Sequence, residues 1–177
     1  SVDLHRALGW TQMHAPDEPG IDSATVASHY FESALILARA HQLHQTFAEI
    51  FHDIGRCYML RAKPIRCETA FKNSLQAALS VGLPGPICHA EYSLATYHLQ
   101  CGQPKEAERL FERLRERTRQ MGGEKWREIS IFIATARAEQ GKTTEAIPLL
   151  QALLPDAHLV NDPGHHVFIG LELALCH

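Results

Sequence analysis

Histidine, a common metal ligand, is abundant in this sequence. The 177 residues include twelve histidines. His41 and His44 lie three residues apart, and His165 and His166 are adjacent. A structural zinc site needs about four nitrogen or sulfur ligands that converge, and no third and fourth ligand accompany either pair. We therefore expect no metal site and no cofactor. The histidines are interpreted as surface and groove residues, several of which could titrate near neutral pH.

The sequence lacks the motifs of the common enzyme classes. It has no Gly-rich phosphate loop, no GxSxG and no HExxH. Asp53 and Arg56 would share one helix face at i, i+3, as expected for a groove ion pair. The five cysteines form an odd set without a CxxC pair, and Cys67 occupies a slot for a small buried residue. We predict no catalytic residues, and the cysteine pattern favours a reduced, cytoplasmic protein.

The formal net charge is −3, yet basic residues are concentrated in one segment. Residues 105–127 hold eight of the seventeen Lys and Arg residues, with five acidic residues between them. On a helix these can pair at i, i+3, as Glu112 with Arg115 and Glu116 with Arg119. We interpret the segment as a solvated helix face, with an anionic partner as the open alternative. The net charge argues against general nucleic-acid binding.

No apolar run approaches about 18 residues, so we expect no membrane-spanning segment. The first residues, SVDLHRALGW, do not have the order of a signal peptide. The sequence opens without Met and stops inside a predicted helix, which we interpret as a fragment of a longer protein.

The elements that would position these side chains recur at a nearly fixed spacing. Small residues at positions 55, 95, 134 and 170 are separated by 40, 39 and 36 residues. In three units a second small residue follows after twelve residues and a large one four later, namely Gly55, Cys67, Phe71; Ala95, Ala107, Phe111; and Ala134, Ala146, Leu150. Small residues let two helices approach closely, and the large residue fills the space beside them. The pattern predicts helical hairpins.

Turn and cap residues predict where the helices begin and end. In the first unit Gly9 and Ala27 are eighteen residues apart, and the extra segment, HAPDEPGIDS, predicts a long turn capped by Asp22 or Ser23. The helix that follows is expected to run to about residue 43. Pro64 and Pro104 are expected to open helices. The segment VGLPGP (81–86) is expected to be a helix stop and turn, and Pro148 to lie inside a helix.

The stretch 48–74 carries the repeat most completely, with the spacing Phe51-x2-Ile54-Gly55-x2-Tyr58 and then Cys67-x3-Phe71-x2-Ser74. It resembles the tetratricopeptide repeat (TPR) family, in the subtype with a spacing of about 40 residues. The resemblance implies an all-α, right-handed α-solenoid of antiparallel helical hairpins, four hairpins plus a terminal helix. We predict a single domain over 1–177, with repeats at about 1–44, 45–85, 86–123, 124–161 and a partial repeat at 162–177.

The resemblance implies a scaffold that binds a protein or peptide in a concave groove lined by the first helices, as a regulatory or sensory module of a larger protein. Two alternatives stay open: a structural self-assembly module, and a small-ligand or signal-peptide sensor domain of a transcription or signalling regulator. The family's Lys/Asn/Arg clamp on a partner's terminal carboxylate is not matched. The corresponding slots hold His52, Asp53 and Arg56, without a Lys/Asn pair.

The helical period places the positions that flank each small residue in the predicted groove. These predicted partner-binding residues are Arg6, Trp10, Met13, His52, Asp53, Arg56, Met59, His89, Tyr92, Thr96, Gln100, Phe132, Thr135 and Glu139. The alternative for Trp10, Tyr92 and Phe132 is that they fill space between hairpins. Residues 165–177 predict a helix that is apolar on most faces, so we expect it to self-associate or to be covered by further chain.

Overall fold

A computed structural model describes residues 1–15, 22–61, 63–122 and 126–153. Within these ranges every regular element is an α-helix, which confirms the all-α prediction. The helices are α1 (Val2–Met13), α2 (Ser23–Ala40), α3 (His44–Leu60), α4 (Pro64–Val81), α5 (Pro84–Gln100), α6 (Pro104–Gln120), α7 (Trp126–Glu139) and α8 (Thr143–Gln151). The predicted terminal helix at 162–177, and with it the prediction of self-association, lies outside the described residues.

The chain divides into two compact units, Ser1–Leu94 and Ala95–His177, and the division falls within α5. The first unit contains α1 to α4 and the beginning of α5. The second contains the end of α5 and α6 to α8. The single-domain interpretation and the repeat boundaries stay predictions.

In the first unit, small and large residues meet as the spacing predicts. Phe71 on α4 is buried against Gly55 on α3, where a β-carbon would lie 2.6 Å from the ring. Phe31 on α2 meets Gly9 on α1 at the same distance. The Ser74 hydroxyl donates to the carbonyl oxygen of Ala48 at 2.6 Å. Because the higher-numbered residue of α4 meets the lower-numbered one of α3, this hairpin is antiparallel.

The second unit repeats this packing within the hairpin of α7 and α8. Between hairpins, Phe111 of α6 stacks on Phe132 of α7, with 5.2 Å between ring centroids. Ala134 of α7 and the pair Ala146 and Leu150 of α8 are completely buried in one cluster. The spacing of small and large residues therefore predicted the contacts within the α3–α4 and α7–α8 hairpins.

Most helix ends lie where the sequence places them. α4 and α6 begin at Pro64 and Pro104, and Pro148 lies inside α8. Asp22 caps α2 by accepting a hydrogen bond from the amide of Thr25 at 3.2 Å. The described helices include none that is long and apolar enough to cross a membrane.

Two helix ends differ from the prediction. α5 begins at Pro84, so part of the predicted turn at 81–86 is helical, since the first turn of a helix tolerates prolines. α2 ends at Ala40 and not near residue 43, because Gln42 adopts a positive φ of 55° and turns the chain toward α3. Gln42 is the one non-glycine residue with positive φ in the described ranges.

Candidate functional site

Arg6 connects the first helices of the first two hairpins. Its Nε donates to Asp53 Oδ2 at 3.1 Å, and its Nη1 donates to Glu49 Oε2. Glu49 and Asp53 are four residues apart, so α3 presents both carboxylates on one face. The contact of Arg6 with Asp53 joins α1 to α3, although the two residues are 47 positions apart in the sequence.

Burial dominates the ionisation of Asp53, which is 1% exposed. Burial raises the pKa of Asp53 to about 6. The charge of Arg6 and hydrogen bonds from Arg6 and Trp10 lower this pKa but do not outweigh the effect of burial. For Arg6, burial would lower the pKa, but the charges of Asp53 and Glu49 raise it above its ordinary value. The Asp53 carboxylate is therefore a buried, internally paired group.

The guanidinium carbon of Arg56 lies over the Trp10 ring, 4.4 Å from the ring centroid. This geometry is a cation–π contact. Trp10 also meets Phe31 edge-on, with centroids 6.5 Å apart. Trp10 thus packs between the first two hairpins and supports Arg56. Within the described part of the chain, the Arg56 guanidinium has no hydrogen bond and no ion pair.

His52 links α3 to α5. Its ring centroid is 4.4 Å from that of His89, and its Nδ1 lies 2.9 Å from Ser93 Oγ. Burial, with the neighbouring charges of His89, Arg56 and Arg6, lowers the pKa of His52 to about 3. His52 is therefore neutral at physiological pH, and the expectation of titration near neutrality does not hold for it.

We call the residues of these contacts the α1–α3–α5 face: Arg6, Trp10, Glu49, His52, Asp53, Arg56, His89 and Ser93. It brings together six of the predicted partner-binding residues. Tyr92 is exposed on the same helix as His89, and Met59 is half-buried on α3. Met13 differs, because it is buried against Cys57, with 3.8 Å between the two sulfur atoms.

The predicted residues of the second unit lie on α5 and α7. Phe132 packs on Phe111, and the Thr135 hydroxyl donates to the carbonyl of Ile131 at 3.1 Å. Gln100 and Glu139 are exposed. The Thr96 hydroxyl is buried and has no hydrogen-bond partner among the described residues.

Sequence reasoning missed an ionic network between α6 and α7. Arg137 Nε donates to Glu108 Oε1 at 2.7 Å, and Arg137 Nη2 donates to Glu112 Oε1 at 2.8 Å. Glu112 had been predicted to pair with Arg115 on its own helix. Burial would raise the pKa of Glu108, but hydrogen bonds from Arg137, Gln140 and Lys142 outweigh it and lower the pKa to about 2. The i, i+4 spacing of Glu108 and Glu112 is the sequence feature that could have predicted this network.

The basic segment also contains an ion pair at the predicted spacing, between residues other than those named above. On α6, Arg109 Nε donates to Glu106 Oε2 at 3.0 Å, an i, i+3 contact. No group of three or more His, Cys, Asp or Glu residues that could hold a metal occurs in the ranges that the structure covers.

Comparison with known proteins identifies the architecture. No protein-family model matches the chain, and no curated protein matches it. The chain is similar to a structure of the nearly identical TPR-like repeats of a kinesin light chain candidate from Podosopora anserina, at 16% identity and a TM-score of 0.75. That match covers 99% of this chain and 82% of the other. A second structure of those repeats gives 14% identity and a TM-score of 0.74, with the same coverage of both chains.

The structure of MamA protein is a further match, at 17% identity and a TM-score of 0.62, covering 88% of this chain and 72% of MamA. At such low identity these likenesses describe the fold and not the activity. Together with the eight described helices, they show that the chain has the fold of TPR-like helical-repeat proteins.

Proposed function

We propose that this chain is a protein- or peptide-binding scaffold that takes its partner on its first helices, as a regulatory or sensory module of a larger cytoplasmic protein. The observation that carries the proposal is the α1–α3–α5 face. Three first helices bring Trp10, His52, Arg56 and His89 into one connected cluster. Repeated hairpins of this kind present such surfaces in rows.

The composition of the α1–α3–α5 face suits recognition of a peptide. Aromatic residues and arginine are enriched among the residues that dominate binding energy. Internal ion pairs fix the backbone positions, because Arg6 holds α1 to α3 through two carboxylates. The side chains left at the surface include Tyr92, which is 36% exposed. A partner would meet a surface that is already ordered, which reduces the entropic cost of binding.

The proposal is tested by comparing partner capture by groove and outer variants. Tyr92→Ala and Arg56→Glu should each weaken capture by about 1–3 kcal/mol, the range of an ordinary hot spot, without changing the circular dichroism spectrum. The matched outer variant reverses Arg115 and Arg119 on α6, and it should change capture little. Loss of capture in the α6 variant, with none in the groove variants, would place the partner on the second helices.

The self-assembly alternative has one observation in its favour. Ile65 and Leu60, which flank the connection between α3 and α4, are 81% and 62% exposed. Exposed apolar side chains can form contacts between molecules. Light scattering over a range of protein concentrations separates the two functions, because a scaffold that binds only its partner keeps a constant mass. A mass that rises with concentration and falls on Ile65→Lys would favour self-assembly.

A further inference from the structure

Arg56 is prepared to bind an acceptor that the described part of the chain does not supply. Trp10, 4.4 Å away, offers the guanidinium a ring face and no oxygen acceptor, so its N–H donors have no hydrogen-bond partner among the described residues. The other arginines near it in the first unit are paired. Arg6 bonds Asp53 and Glu49, and Arg61 Nε lies 2.9 Å from Asp22 Oδ2.

The surroundings of Arg56 limit the charge of this acceptor. Asp53 lies one turn earlier on α3, and Glu49 one turn before that, with half of its side chain exposed. Both carboxylates repel an incoming anion, and they repel a doubly charged phosphate more strongly than a single carboxylate. The adjacent His52 adds no compensating positive charge, because burial lowers its pKa to about 3. A singly charged, planar group therefore fits this position best.

We propose that Arg56, supported by Trp10, selects the partner through an aspartate or glutamate side chain bound by two parallel hydrogen bonds. This inference rests on the proposed function and names the chemistry that the partner presents. The planar fork of N–H donors on a guanidinium matches the two oxygens of a carboxylate, whereas a lysine ammonium acts as a point charge without a fixed orientation. Arg56→Lys should therefore lose most of the selectivity although it keeps the charge.

The test uses a random library of C-terminally amidated peptides selected on the wild-type protein. Selected peptides should carry an Asp or Glu at one fixed position. For one selected peptide, Arg56→Met should raise the dissociation constant about 10-fold or more, equivalent to about 1.4 kcal/mol or more. Methionine keeps an unbranched apolar side chain over Trp10, and circular dichroism verifies the fold. Arg39→Met is the matched control, since Arg39 is exposed in the last turn of α2 and has no ion pair within the described ranges.

A change in the peptide completes a double-mutant cycle with Arg56→Met. When its acidic residue is replaced by the amide, wild type and Arg56→Met should bind it equally, because the pair can no longer form. The inference is overturned if the selected peptides show no acidic preference or if Arg56→Met leaves the preference intact. Tighter binding of a phosphoserine in place of the acid would also overturn it. A parallel library with free C-termini would overturn it too if the protein retained peptides from that library and none from the amidated one. A wild-type protein that retains no peptide from either library would contradict the proposed function itself.

Discussion

The approach of α3 to α4 at Gly55 gives a prediction whose size follows from the structure. A β-carbon at Gly55 would lie 2.6 and 2.7 Å from two atoms of the Phe71 ring. The optimal separation of carbon atoms is about 3.5–4.0 Å, so the ring or the backbone would have to move by about 1 Å. Phe71 is 2% exposed and has little room to move.

Two opposing contributions determine how much Gly55→Ala changes the free energy of unfolding. Replacing a glycine inside a helix by alanine gains about 0.5–1 kcal/mol through lower unfolded-state entropy. Overpacking a filled core costs about 1–3 kcal/mol, and the confinement of Phe71 favours the upper part of that range. We expect Gly55→Ala to lower the free energy of unfolding by about 1–2 kcal/mol, a fall of several degrees in melting temperature for a chain of this size.

The comparison variant is Gly85→Ala, because Gly85 lies in α5 and a β-carbon there would meet no atom within 4 Å outside its chain neighbours. Pro86 follows it and disfavours a helical residue that carries a β-carbon, so we expect a loss of stability smaller than that of Gly55→Ala in urea denaturation followed by circular dichroism. Adding Phe71→Leu to Gly55→Ala should cost less than the sum of the two single changes, since the smaller side chain leaves room for the methyl group. If Gly55→Ala were as stable as Gly85→Ala, the close helix approach would be wrong.

Three further predictions concern single side chains. Gln42→Gly should raise the free energy of unfolding by up to about 1 kcal/mol in urea denaturation, because Gln42 has a φ of 55° that glycine adopts without strain; a loss would show that the glutamine is not strained. Thr96→Val should leave the free energy of unfolding unchanged or raise it, because its buried hydroxyl has no partner in the described ranges. Thr118→Val should lower the free energy of unfolding by about 1 kcal/mol, since that hydroxyl donates to the carbonyl of Leu114 at 3.0 Å. Glu108→Gln should destabilise the protein at pH 7. Its carboxylate has a folded pKa of about 2, below the ordinary value, so the stabilisation is present above the ordinary pKa and is lost as the pH falls toward 2; a difference from wild type that did not shrink in acid would contradict the ion pair with Arg137.

The helices and their pairing were predictable because they depend on side-chain volume along one chain. The spacing of Gly55, Cys67 and Phe71 records a close contact that any hairpin of this type must make. The start of α5 was not predicted, because Pro84 and Gly85 are typical of turns although a first helical turn accepts them. The end of α2 was not predicted, because the positive φ that ends it belongs to Gln42 and not to a glycine.

The candidate site was less predictable because it depends on which residues of different helices lie opposite each other. The helical period placed Arg6, Trp10 and Asp53 on suitable helix faces. It could not predict the distances between α1 and α3, which decide whether these side chains meet. Met13 was expected in the groove and instead packs in the core. Arg137 stands at the repeat position that holds Gln12, Tyr58 and His98 in the earlier repeats, and its role required knowledge of Glu108 on α6.

The measurement that tests the account most directly is amide hydrogen exchange on the wild-type protein with and without a selected peptide. Binding on the α1–α3–α5 face predicts slower exchange in α1, α3 and α5, and no comparable change in α2, α4 and α6. The protection should disappear in Tyr92→Ala at the same peptide concentration. Protection confined to α2, α4 and α6 would contradict the account and place the partner on the second helices.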